Sequence, residues 1–83
     1  MKIQVLFFAA IRDAINRREL ELEFLDETSV ADVLLDLGSR YPHAVPLLER
    51  IQVAVNEEYT QRETPLHDGD ILALFPPVSG GSI

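Results

Sequence analysis

Apolar and polar positions alternate from the second residue onward: Ile3, Val5, Phe7 and Ala9 share one face, Gln4, Leu6 and Phe8 the other. With its β-branched and aromatic content, this stretch predicts a strand over 2–9. Ile11 and Ile15, four apart, then predict a short helix over 10–16. Leu20, Leu22 and Phe24 interleave with Glu19, Glu21 and Glu23, the pattern of a second strand with one wet, acidic face. So short a connection between the two strands suits an antiparallel pair.

Ser29 with Asp32 three residues later has the form of a capping box. Val30, Val33, Leu34 and Leu37 follow at helical spacing, opposite Asp32 and Asp36, and predict the main amphipathic helix. Gly38 or the Tyr41-Pro42 pair is expected to end it. Residues 46–49 predict a further helical turn, and Gln52 to Asn56 a third strand that turns through Asn56-Glu57 toward Tyr59. The Asp68-Gly69 pair marks the clearest turn. Ile71 to Phe75 is apolar on both faces and is therefore expected at the centre of the sheet. The sum is an α+β arrangement: a mixed sheet of four to five strands covered on one face by one main helix. If the last strand lies parallel beside the first, the layout is β-grasp-like.

Composition narrows what such a domain does. Eighty-three residues with 47% hydrophobic content make one domain with a core of its own. There is no cysteine, which excludes disulfides, thiolate metal sites and a cysteine nucleophile. His43 and His67 are too few and too far apart to suggest zinc. Seven basic against fourteen acidic side chains give a net charge of −7. Seven of those acids fall between Glu19 and Asp36 with no Lys or Arg among them, a surface that repels phosphate backbones, so no nucleic-acid partner is expected. That acidic run either steers the domain toward a basic partner or is simply a solvated face. No apolar stretch approaches the ~20 residues of a bilayer span, and the N-terminus reads as a strand and not a signal peptide. A soluble cytoplasmic protein is the expectation.

The C-terminus departs from this pattern. Pro76-Pro77 cannot continue a sheet, so a stiff extended tail is expected over 76–83, leaving a domain at 1–75. Gly80-Gly81 removes two consecutive side chains, leaving a thread thin enough for a narrow channel. Unconstrained C-termini are also often rich in Gly and Ser. Three segments decide between these readings: Val5 to Ala9, Ala54-Val55-Asn56, and Pro65 through Asp68-Gly69-Asp70 to Phe75-Pro76-Pro77-Val78-Ser79-Gly80-Gly81. In them the chain resembles the MoaD/ThiS-type sulfur carriers, the family of molybdopterin synthase small subunits, which have the ubiquitin-like β-grasp fold.

The resemblance implies that the working group is the carboxylate of Gly81. A carboxylate is a poor acyl donor, so an adenylating, E1-like activating enzyme first converts it to an acyl-adenylate with ATP. A sulfur donor then displaces AMP to leave a thiocarboxylate. In the large subunit of molybdopterin synthase this sulfur passes to a pterin precursor as dithiolene, with Gly80 providing clearance in the channel. No cofactor is bound by the carrier itself. The resemblance further implies a partner interface at Phe8, Tyr59, Phe75, Pro76, Pro77 and Val78, and a heterotetramer of two small and two large subunits. By strand parity Phe8 points away from Ile3, Val5 and Phe7; the alternative is that Phe8 and Phe75 are core residues. Other readings stay open: a ubiquitin-like binding module without sulfur transfer, or a sulfur carrier for thiamin or tRNA thiolation. Ser82-Ile83 depart from the family's terminal Gly-Gly: their removal before loading, or their being extraneous to the natural chain end, is expected ahead of the third reading, a copy that has lost carrier activity and persists as a binding module. His67, Asp68 and Asp70 are read as turn residues, and Arg17-Arg18 as a solvated pair or an interface contact.

Overall fold

A computed structural model describes residues 1–25 and 27–77. The N-terminal alternation forms β1 (Lys2–Phe7), followed by α1 (Ala9–Ile15) and β2 (Glu19–Glu23). The main helix α2 (Val30–Arg40) leads through a 3₁₀ turn at Pro42–Ala44 into the short α3 (Val45–Leu48). Three strands close the fold: β3 (Gln52–Val55), β4 (Glu58–Thr60) and β5 (Ile71–Phe75). The sheet order is β2-β1-β5-β3-β4. β1 and β2 are antiparallel, β5 is parallel to β1 and antiparallel to β3, and β3 and β4 form a hairpin. This is the α+β, β-grasp layout expected, with five strands and with the last strand beside the first.

One apolar cluster holds it together. Ile3, Val5 and Phe7 of β1, Leu22 of β2, Val53 of β3, and Leu72 and Leu74 of β5 form the inner face. Ile11 and Ile15 of α1 and Val30, Val33, Leu34 and Leu37 of α2 pack on it. The capping box at the start of α2 forms: the Asp32 amide donates to Ser29 Oγ at 3.3 Å, and the Ser29 amide to Asp32 Oδ2 at 2.9 Å. Two of the four otherwise unpaired amides of the first turn are so satisfied.

The structure corrects one local expectation and decides two others. The first strand stops at Phe7, because Ala9 adopts φ 54 and turns the chain into α1. Of the two expected ends of α2, the Tyr41-Pro42 pair holds and Gly38 does not: the helix continues to Arg40 with Tyr41 as its C-cap. Gly38 instead lets α3 approach closely, since a Cβ there would lie 3.2 Å from Val45 Cγ2. The stretch around Tyr59, toward which the chain was expected to turn, is the edge strand β4, the fifth strand of the sheet. It is joined to β3 by Asn56-Glu57, both at positive φ (50 and 72), as a two-residue type I′ hairpin requires.

The Asp68-Gly69 turn clasps the start of β1. The Lys2 amide donates to Asp68 Oδ1 at 2.7 Å and the Gly69 amide to the Lys2 carbonyl at 2.8 Å. Asp70 accepts from the His67 amide at 2.8 Å and from Asn56 Nδ2 at 2.9 Å. Backbone and amide bonding thus accounts for both aspartates, as their turn reading required. Among the described residues no helix is long and apolar enough to cross a membrane.

Candidate functional site

Helices cover one face of the sheet; the other carries the candidate site. Strand register lays out its rows. Leu6 of β1 lies beside Ala73 of β5, Ala73 opposite Ala54 of β3, and Ala54 opposite Tyr59 of β4. One step further, Phe75 lies opposite Gln52, and the Phe8 amide donates to the Leu74 carbonyl at 3.2 Å, extending the ladder past the end of β1. The Phe8 ring is thereby brought beside Phe75.

The two rings stack with centroids 4.8 Å apart and planes 8° from parallel. Tyr59 joins them on the far side, its centroid 5.9 Å from that of Phe75 and its plane tilted by 45°. Aromatic pairs in such arrangements hold one another beyond simple area burial. Phe8 is 39% exposed and Tyr59 72% exposed, while Phe75 is half-buried between them. None of the three belongs to the core cluster, so the core alternative for Phe8 and Phe75 does not hold. A shallow depression of about 470 Å³ adjoins the rings, lined by Leu6, Phe8, Asn56, Glu57, Ile71, Ala73 and Phe75.

Pro76, half-buried, and Pro77, exposed, follow Phe75 directly, so the chain leaves the sheet from within this cluster. Val78, Gly80 and Gly81, and with them Ser82 and Ile83, lie outside the described residues. Charge frames the apolar patch. Glu19, Glu21 and Glu23 project from β2 on the same face, and Arg12 and Arg18 lie beside Phe8 and Leu6 at the end where β1 finishes. His67 is exposed at its turn, away from the rings. Arg17 lines a small polar hollow with Arg12, Asp13, Asn16 and Arg18.

Sequence reasoning found the three aromatic residues but not the surface that joins them. Leu6, Ile71 and Ala73 complete it, and parity with Phe8 and Phe75 is the signal that locates them. The apolar outer side of β5, which suggested a strand buried on both faces, is this open patch; only Leu72 and Leu74 face the core. The sequence reading of Asn56, at the turn after the third strand, gave its side chain no bonding role. Its side chain also accepts from the Ile71 amide at 3.0 Å, locking the hairpin to the start of β5. Leu6, Phe8, Ile71, Ala73 and Phe75 carry no ionising group; the Tyr59 phenol and, at the rim of the depression, the Glu57 carboxylate are the ionisable groups beside them. The face therefore offers apolar area for docking.

A family model described as the ThiS family matches residues 5–81. The chain is 37% identical to a molybdopterin synthase sulfur carrier subunit of Mycobacterium tuberculosis, over 98% of this chain and 99% of that protein. It is 33% identical to small archaeal modifier protein 3 of Haloferax volcanii, over 98% and 100% of the two chains. The crystal structure of SAMP1 from Haloferax volcanii superposes with a TM-score of 0.84 at 27% identity, covering 98% of this chain and 100% of that one. With the β-grasp topology, the open aromatic face and a family match reaching from Val5 to Gly81, this chain belongs to the ThiS family, the MoaD/ThiS-type sulfur carriers of ubiquitin-like fold.

Proposed function

We propose that this chain is the sulfur carrier subunit of a molybdopterin synthase, with a β-grasp domain at 1–75 for docking and a tail at 76–83 for cargo. The observation that carries this reading is the placement of Phe8, Phe75 and Tyr59. They cluster on the uncovered sheet face, and the segment leading to Gly80-Gly81 starts from one of them. An exposed aromatic cluster on a small domain is the usual anchor of a protein interface. The relative in Mycobacterium tuberculosis, named as such a subunit and matched over 99% of its length, supports the assignment.

In this reading Gly81 is the acyl end. Removal of Ser82-Ile83 frees its carboxylate, consistent with a family match that stops at Gly81. An E1-like enzyme docks on the aromatic face and adenylates the carboxylate with ATP. A sulfur donor displaces AMP, and the resulting thiocarboxylate enters the large synthase subunit, where its sulfur attacks the pterin precursor. Gly80 gives the thread its clearance, and Pro76, Pro77 and Val78 hold it away from the sheet. The carrier binds no cofactor; the ATP is consumed by its activating enzyme, which makes the cytoplasm the setting.

The test is the intact mass of the protein isolated from its own cells. Loss of Ser82-Ile83 together with exchange of one oxygen for sulfur is the expected result. A population consisting only of the unmodified 83-residue chain would overturn the reading. The likeness to a protein named as a modifier favours a second use of the same glycine, attachment to other proteins. That use, and carriage for thiamin or tRNA thiolation, would also require adenylation of the 1–81 form. A pure binding module would bind its partners equally well without the last four residues.

A further inference from the structure

We propose that Lys2 is an acceptor site: its Nζ takes the Gly81 acyl group of a second, activated copy of this chain, joining the two copies by an isopeptide bond. The proposal rests on the carrier reading for how the acyl group becomes activated. Its own basis is which nucleophiles the folded chain exposes. An acyl-adenylate reacts with amines and thiols, and this chain has no cysteine, six arginines and one lysine. Guanidinium groups stay protonated and do not attack acyl carbons. Lys2 is therefore the only side-chain amine available.

Its setting leaves it open. Lys2 is exposed at the start of β1, on the face that also carries Gln4 and Leu6. Among the described residues no carboxylate pairs with its ammonium. The competing amine, that of Met1, is closed by contrast. It donates to the Phe24 carbonyl at 2.6 Å, the Phe24 amide returns to the Met1 carbonyl at 2.8 Å, and Met1 packs half-buried against the core. To attack, that amine must first break this clasp.

Topology then fixes how copies would join. Because β1 and β5 are parallel, Lys2 and the point where the chain leaves β5 lie at opposite ends of the sheet. Six residues of strand separate Lys2 from Phe8, roughly 20 Å at the usual rise per residue. With one lysine per copy, copies joined in this way form a chain without branches. In the step itself the unprotonated Lys2 amine forms a C–N bond to the Gly81 carbonyl carbon. The bond from that carbon to the adenylate oxygen breaks, AMP departs with the electron pair, and one amine proton passes to water. ATP and the adenylating enzyme supply the activation.

An enzyme-free arm tests the acceptor alone. The 1–81 form, which retains every described element, is prepared with Gly81 as a C-terminal thioester and incubated at high concentration. Covalent dimers are expected, with peptide mapping giving a Gly81–Lys2 link. Ordinary α-amines are less protonated than lysines near neutral pH and would win; here the Lys2 link should exceed the Met1 link, because the Met1 clasp must open before that amine can attack. Lys2→Arg should remove the dimers while leaving thioester hydrolysis unchanged. Links mainly at Met1, or equal dimer yield from Lys2→Arg, overturn the proposal. A second arm uses ATP and the activating enzyme. Pyrophosphate release, which marks adenylation, without a Lys2 link overturns the proposal, whereas absence of pyrophosphate release overturns the carrier reading and leaves Lys2 to be decided by the thioester arm.

Discussion

Glu57 sits at φ 72, a left-handed conformation that costs an L-residue roughly 1–2 kcal/mol. Its neighbour Asn56, at φ 50, meets the same demand with a residue that tolerates it, and its side chain bonds both Asp70 and the Ile71 amide. Glu57 makes no such bond among the described residues. Glu57→Gly should therefore stabilise the protein by about 0.5–1 kcal/mol, the relief of strain less the extra freedom glycine brings to the unfolded chain. Thermal unfolding checks this as a rise of several degrees; a fall would mean that Glu57 contributes an interaction absent from the described contacts. At this scale the sequence was partly readable. Parity alone aimed Phe8 outward, because a two-residue period needs no knowledge of the partner strand. The clasp made by Asn56 was not readable, since it depends on where β5 starts alongside the hairpin, fourteen or fifteen residues later.

Local bonding and tertiary packing divide the control of the elements. The start of α2 is local: Ser29 and Asp32 satisfy one another's amides, and the pattern S-x-x-D announces this without further context. Ser29→Ala should cost about 1 kcal/mol in chemical denaturation with an unchanged m-value, since only the cap is lost. An unchanged midpoint would show that packing of Val30 and Val33 alone fixes the helix start. The end of α2 is tertiary. Gly38 has the look of a stop signal, yet the helix passes through it, because what the position needs is room for Val45 and not a break in the backbone. β4 is legible only in part for a related reason. Three residues are too few to display a period, and Glu58, Tyr59 and Thr60 become a strand by pairing with Val55, Ala54 and Val53.

For the whole molecule, the decisive feature is that β5, the last element among the described residues, is also the middle strand of the sheet. Leu72 and Leu74 are fully buried, and β5 bonds to both β1 and β3, so neither half of the sheet closes without it. The described core is complete at Leu74, and the aromatic face is complete at Phe75. On the proposed carrier reading, docking and cargo should therefore be separable by truncation. A 1–77 form should unfold within a few degrees of the full chain, as expected for a change outside the core, whereas a 1–70 form should not fold. Because 1–77 keeps Phe8, Tyr59 and Phe75 but has no glycine to adenylate, it should occupy the activating enzyme and the large synthase subunit without being loaded. In a reconstituted sulfur transfer it should act as a competitive inhibitor, relieved by more of the 1–81 carrier. Tyr59→Ala placed in the same truncation should weaken that inhibition with little effect on folding, since Tyr59 is mostly exposed. If 1–77 folds and yet fails to compete even in large excess, recognition resides in the tail, and the aromatic face is not the docking surface.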